Sequence, residues 1–196
     1  MDIKKSDIIS EQKRNVILNE CGRMLGLIKS MLSLAASDTG SWKIDMRQED
    51  VDTLLIETWE EFSRPAQKKN LHLDLNIEEH YPKLICDEEH LKQAIGILLD
   101  NAISYSQPGL SIEMGARVVE KFIIFHVTDY GSGIAEKDKD KVFQHFYSGD
   151  SSRTDKNHFG LELSIAEEIV KLHHGTIVLK DTPGGAVLLR FRWALV

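Results

Sequence analysis

Cysteine is scarce in this sequence: among its 196 residues it occurs only as Cys21 and Cys86. They lie too far apart to form a metal-binding spacing, and the expectation is a pair of buried, reduced thiols. Basic surplus is missing as well. The formal charge is −7, which argues against a general nucleic-acid binder, a class that usually carries a basic face. No apolar run approaches the ~18 residues that span a bilayer, and residues 1–30 carry no signal-peptide pattern. Internal repeats and low-complexity tracts are also missing. The eight histidines begin only at His72. What remains is ordinary for one good core, with 42% hydrophobic and 28% charged residues.

Residues 6–37 read as one long helix. Ile17, Cys21, Met24, Ile28, Met31 and Ala35 recur at alternating spacings of four and three, a heptad seam that wants partner helices. "SDTGSW" breaks this helix and predicts a hinge between two units. A short strand is expected over 43–47. Asp50 then precedes an amphipathic helix carrying Leu54, Leu55, Trp59 and Phe62. "LHLDLN" and "YPKLIC" read as short strands. Asp87 caps a strong helix running to about Tyr105, with Leu91, Ala94, Ile95, Leu98, Leu99 and Ala102 on its apolar face. Two alternating runs joined near Glu120 predict an antiparallel hairpin. The polar stretch 130–158 exceeds what a compact domain uses as mere connection, so it is expected to be functional or mobile. A helix from about Leu161 stops at Gly175, and "TIVLKD", "TPGG" and "AVLLRFRWALV" predict a second hairpin. These elements describe an α/β sandwich behind a helical stalk.

Four short pieces carry the chemistry. "LLDNAISYS" places Asn101 near the end of a buried helix. "DYGSGI" places Asp129 at a strand end, where its carboxylate can accept from an exocyclic amine; Gly131 and Gly133 let the backbone pass close to a flat ligand. "VFQHFYSGDSSR" offers Phe143 and Phe146 as anchors for a loop, and Arg153 as a fork for phosphate oxygens. "HFGLELS" opens a helix whose N-terminus is a natural anion site. Read singly, these pieces are equally consistent with a capping Asn, a glycine-rich turn and a solvated arginine.

Taken in order, they resemble the bacterial sensor histidine kinases, whose ATP-binding domain belongs to the wider class that includes DNA gyrase and Hsp90. "LKQAIGILLDNAISYS" is similar to that family's N box, "DYGSGI" to its first glycine box, "VFQHFY" to its F box, and "HFGLELSIAEEIVKLHHG" to its second glycine box. Residues 12–44 are similar to the second dimerisation helix and the linker after it. The resemblance implies a two-layer α/β sandwich of the Bergerat type, with a mixed, mainly antiparallel sheet and helices on one face. It implies a stalk over residues 1–40, a catalytic domain over 41–196 and an ATP lid over about 130–160. It further implies that Asn101 coordinates Mg²⁺ and that Tyr105 packs near the base. Asp129 would bind the adenine amine, with Gly131, Gly133 and Ile134 around it. Phe143 and Phe146 would tether the lid, Arg153 would reach the terminal phosphates, and Gly160 with Leu161 would begin the helix facing them. ATP and Mg are the implied cofactors. The implied partners are a second copy, through the N-terminal helix, and a response regulator; the implied setting is cytoplasmic, with membrane contact only through regions absent here.

The sequence departs from that family in four places. No histidine lies in residues 1–71, so the phosphoacceptor is missing, as expected of a chain that begins after the first dimerisation helix. Ile97 and Ser104 stand where polar and lysine residues are common. Glu162 stands where the family pattern has glycine. A carboxylate about 5 Å from a phosphate charge costs about 3 kcal/mol at an effective dielectric of about 20. Glu162 also suits the first turn of a helix, so it would stabilise the empty helix while discouraging ATP. The leading reading is the ATP-binding catalytic portion of a sensor histidine kinase. The alternative is a pseudokinase or scaffold with weakened nucleotide binding. A gyrase-type clamp is disfavoured, because Ile97 occupies the position of its acidic base.

Overall fold

The computed structural model describes residues 3–131, 133–147, 159–180 and 186–190. Helix α1 (Ile3–Asp38) leads into a short strand β1 (Arg47–Glu49) and helix α2 (Val51–Lys68). Strands β2 (His72–Asn76) and β3 (Leu84–Cys86) precede helix α3 (Glu88–Tyr105). The hairpin β4 (Ser111–Val119) and β5 (Phe122–Asp129) follows, then helix α4 (Glu162–Leu172) and strands β6 (Thr176–Lys180) and β7 (Ala186–Arg190). A single 3₁₀ turn covers Glu136–Asp138.

Five strands form one sheet in the order β2-β4-β5-β7-β6. Only β2 and β4 run parallel; the other pairs are antiparallel. Alternation along β4 and β5 sends Ile112, Met114 and Ala116, with Ile123, Phe125 and Val127, into the core, each at most 2% exposed. Against that face α3 lays the whole stripe read from its sequence, from Leu91 at 0% to Ala102 at 4% exposed. Helix α2 adds Leu54 and Leu55, and α4 adds Ile165, Ala166, Ile169 and Val170. The fold is thus the expected two-layer α/β sandwich, with a mixed, mainly antiparallel sheet and helices on one face.

Local chemistry explains the element ends. The Asp87 side chain accepts the backbone N–H of His90 at 3.0 Å and caps α3. Asp50 precedes α2 without a capping hydrogen bond and instead pairs with Lys83. The β4–β5 turn sets Glu120 at φ 55. The first short strand lies at Arg47–Glu49 rather than over 43–47, because its partner β3 sets its register, pairing Arg47 with Cys86. Of the two cysteines, only Cys86 is buried, and burial pushes its thiol up to about 12; Cys21 is exposed on α1.

Helix α1 carries two stripes. The seam of Ile17, Met24, Ile28 and Met31 is 49–62% exposed, and Cys21 and Ala35 are exposed with it. A second stripe, Arg23, Leu27, Ser30, Leu34 and Ser37, turns toward the domain, with Leu34 only 8% exposed and Leu27 packed on the core. The expected hinge after α1 is fastened at three points. Ser37 donates to Glu168 at 2.8 Å, Trp42 Nε1 donates to His90 Nε2 at 2.6 Å, and the backbone N–H of Asp45 donates to Asp87 at 2.9 Å.

Candidate nucleotide site

Asp129 is the last residue of β5, and its side chain is half-buried. Burial pushes its carboxyl above the ordinary carboxylate range, while the backbone N–H of Gly131, 2.8 Å from Oδ1, pulls the other way. That bond is a tight local turn closing on its own strand end, so the carboxylate is oriented before any ligand arrives. Gly131 permits it by lacking a side chain. A Cβ there would meet Asp129 Oδ1 at 2.8 Å and the carbonyl oxygen of Tyr105 at 3.1 Å. The end of α3 and the glycine turn after β5 are thereby brought into contact. Gly133 lies beyond at φ +67, and Ile134 is half-buried.

Asn101 sits one turn before the end of α3, half-buried, and its buried Nδ2 has no hydrogen-bond partner among the described residues. An unpaired buried amide is costly unless a ligand completes it. That Nδ2 is a donor suited to an acceptor such as a phosphate oxygen, while Oδ1 is the atom that would serve a Mg²⁺, which takes one or two protein oxygens and draws the rest from phosphates and water. Among the described residues no group of three or more His, Cys, Asp or Glu could hold a metal ion. Tyr105 is 44% exposed at the helix end. Ile97 packs against the core.

The F-box segment and the second glycine turn also meet. A Cβ on Gly160 would lie 2.4 Å from the carbonyl oxygen of Tyr147 and 2.9 Å from the carbonyl carbon of Phe146; the glycine itself sits at φ +69. Phe146 has a side chain 62% exposed and a backbone turned to φ 62. Phe143 is half-buried, and Tyr147 donates its hydroxyl to Asp138 at 2.7 Å within the same segment. Arg153 lies outside the described residues, as does the span 148–158 of the expected lid.

Leu161 stands just before α4, 0% exposed, so only its backbone faces the helix start. That start is engaged by Glu162: Oε1 accepts the N–H of Phe159 at 2.9 Å, and Oε2 accepts that of Leu161 at 3.1 Å. Sequence reasoning anticipated the helix-stabilising carboxylate. It missed the cation beside it, Arg23 of α1, whose guanidinium lies 5.5 Å from the Phe159 ring centroid. It also missed Tyr147. The Arg23 contact leaves no signal in the sequence, because it joins segments distant along the chain.

Comparison with known proteins converges on one group. A family model described as "Histidine kinase-, DNA gyrase B-, and HSP90-like ATPase" matches residues 86–195, more than half of the chain. The signal transduction histidine-protein kinase ArlS of Staphylococcus aureus is 29% identical over 183 residues, 91% of this chain and 39% of that protein. The chain therefore spans about two fifths of the length of that relative. Among solved structures, full-length ShkA in complex with AMPPNP superposes with TM-score 0.79 at 20% identity, covering 92% of this chain and 38% of that one. The histidine kinase AdeS of Acinetobacter baumannii gives 0.75 at 21% identity, covering 92% and 83%. The catalytic domain of the histidine kinase ThkA gives 0.68 at 22% identity, covering 76% and 96%.

Proposed function

The chain belongs to the histidine kinase-, DNA gyrase B- and HSP90-like ATPase family, and from that premise we propose that it is the ATP-binding catalytic portion of a sensor histidine kinase. Its intact parent would transfer the γ-phosphoryl group of ATP to a histidine absent from this chain, for relay to a response regulator. Residues 1–40 would be the dimerisation stalk and 41–196 the catalytic domain. The observation that carries the reading is Asp129, oriented at the end of β5 by Gly131 N–H and set against the end of α3.

In this reading Asp129 accepts a hydrogen bond from the exocyclic amine of adenine. Gly131, Gly133 and Ile134 leave room for the ring, and Tyr105 covers its edge. Asn101 would hold Mg²⁺, which when bound neutralises charge on the phosphates. Arg153 would approach the terminal phosphates. Phosphoryl transfer relies on positioning and charge neutralisation, so the inventory needs no protein nucleophile beyond the acceptor histidine. The exposed seam of α1 supports pairing with a second copy, and the proposed position is cytoplasmic, with membrane contact only through regions absent from this chain. No helix of the described residues is long and apolar enough to cross a membrane. A pseudokinase or signalling scaffold with weakened nucleotide binding is not favoured, given the family match.

The test is calorimetric titration with ADP and AMPPNP, with and without Mg²⁺, on the parent chain and on Asp129→Asn. The parent should bind with Mg²⁺-dependent affinity. Asp129→Asn should weaken binding roughly tenfold or more, the worth of one charge-assisted hydrogen bond. Binding unaffected by Asp129→Asn would remove the adenine site from this position.

A further inference from the structure

The segment between α1 and β1 is held to the domain by a hydrogen bond that tolerates only one protonation state. Trp42 Nε1 donates to His90 Nε2 at 2.6 Å. An indole N–H can only donate, so Nε2 must present its lone pair, and the one proton of the neutral imidazole stands on Nδ1. Nδ1 lies 2.9 Å from Asp87 Oδ1. The two rings meet edge to face, with centroids 5.5 Å apart and planes at 68°, and Trp42 also packs on the core.

A second proton on His90 can go only to Nε2. It would set two N–H donors against each other where one bond now stands, and Trp42 would have to withdraw. The His90 side chain is 20% exposed, so water can deliver that proton. Charged and titratable groups reach the cluster from three places. Asp87, ahead of α3, stays an anion beside Nδ1: burial works against its charge, but hydrogen bonds from the Asp45 and His90 N–H groups outweigh burial and hold it below the ordinary carboxylate range. His173, past the end of α4, is kept neutral by burial, which lowers its pKa, so it brings no second cation. Arg47 of β1 interacts with Asp87 from the other side of the hinge segment.

The bond also sits where the chain can turn. It is the middle one of three fasteners, between Ser37–Glu168 and Asp45–Asp87. Gly40 opens the segment at φ +61, with nothing within 4 Å of its Cβ position.

We propose that Trp42 and His90 form a pH-sensitive latch on the hinge between the helical stalk and the catalytic domain, closed while His90 is neutral and opened when Nε2 takes a proton. Opening frees residues 39–46 to turn, and the domain can then change its position on α1. The latch borrows from the proposed function only the division into stalk and domain. No nucleotide enters its test, so the two readings fail separately.

The experiment is NMR on the full chain at about pH 7.5 and about pH 5.5, values that bracket the range in which histidine changes charge. It follows the Trp42 indole N–H resonance and the backbone order parameters of residues 39–46. At the lower pH the indole proton of the parent should move upfield, and the order parameters should fall from about 0.85 to below about 0.6, from rigid to flexible. His90→Gln offers an oxygen acceptor that takes up no proton, so the pH response should be lost. Trp42→Phe keeps an aromatic ring without the donor, so its hinge should be loose at both values. His173→Gln should keep the parent's response, which separates the latch from the buried ring nearby. A parent hinge equally rigid at both values would overturn the proposal. So would a response that survives His90→Gln or vanishes in His173→Gln, or a Trp42→Phe hinge as rigid as the parent's at the higher pH. Amide spectra report whether each variant folds.

Discussion

His173, just past the end of α4, accepts the backbone N–H of Asp87 on Nε2 at 3.0 Å. Its Nδ1 lies 2.7 Å from the Ile169 carbonyl and therefore carries the proton, which fixes the neutral tautomer. Asp87 in turn caps α3 and takes the Asp45 N–H, so one histidine ring joins the end of α4 to the start of α3 and the segment after α1. The ring is 3% exposed.

A pH dependence follows from that ring. Burial lowers the His173 pKa below the ordinary histidine value, despite the Ile169 carbonyl and the Asp87 carboxylate pulling it up; His90 lowers it further. Above about pH 6.5 neither folded nor unfolded chain protonates it, and its contribution to stability is complete. As pH falls through that value the unfolded state takes up a proton that the folded state resists, so stability drops. Urea midpoints measured at pH 7.5 and 5.5 should show the loss, and His173→Gln should flatten it. An unchanged slope in the variant would assign the pH dependence to other groups.

Gly160 should tolerate no side chain. At φ +69 any L-residue is strained by roughly 1–2 kcal/mol, and the Tyr147 carbonyl stands 2.4 Å from where the Cβ would sit. Gly160→Ala should therefore lower the melting temperature by several degrees, at about 2–4 °C per kcal/mol for a chain of this size. Gly109→Ala is the control: φ +90, with nothing within 4 Å of its Cβ position. Equal losses at both would show that backbone strain alone is felt at Gly160.

The two stripes of α1 should separate in solution. Leu34→Ala removes a side chain that is 8% exposed and should cost about 2 kcal/mol of stability in urea unfolding, with self-association left intact. Ile28→Asn alters a residue that is 50% exposed and should change the stability of one chain by less than about 0.5 kcal/mol. It should nonetheless weaken self-association in sedimentation runs. Monomer at every concentration for the parent would end the pairing argument.

Much of this was legible in the order of residues. The 3.6-residue stripe of α3, the period-two alternation of β4 and β5, and the Asp87 cap are local properties, each satisfied within a few residues of where it is written. The motif order likewise pointed to the family to which the chain belongs. Less legible was anything set by register between distant segments. The short strand moved to Arg47–Glu49 because β3 pairs with it there. The close approach of Gly160 to the Tyr147 carbonyl likewise joins two segments whose pairing no local pattern announces.

The sequence by itself determined which faces are apolar, where the helices start and stop, and which residue types stand at the strand end and the helix starts, because these follow from periodicity and capping chemistry. Only the tertiary structure decided which of the two stripes of α1 lies on the domain, that Gly131 rests against the Tyr105 carbonyl, and that Arg23 shares a cavity with Glu162. Those contacts bring together segments tens of residues apart. The packing that selects them depends on the shape of the assembled core, which no short stretch of sequence contains.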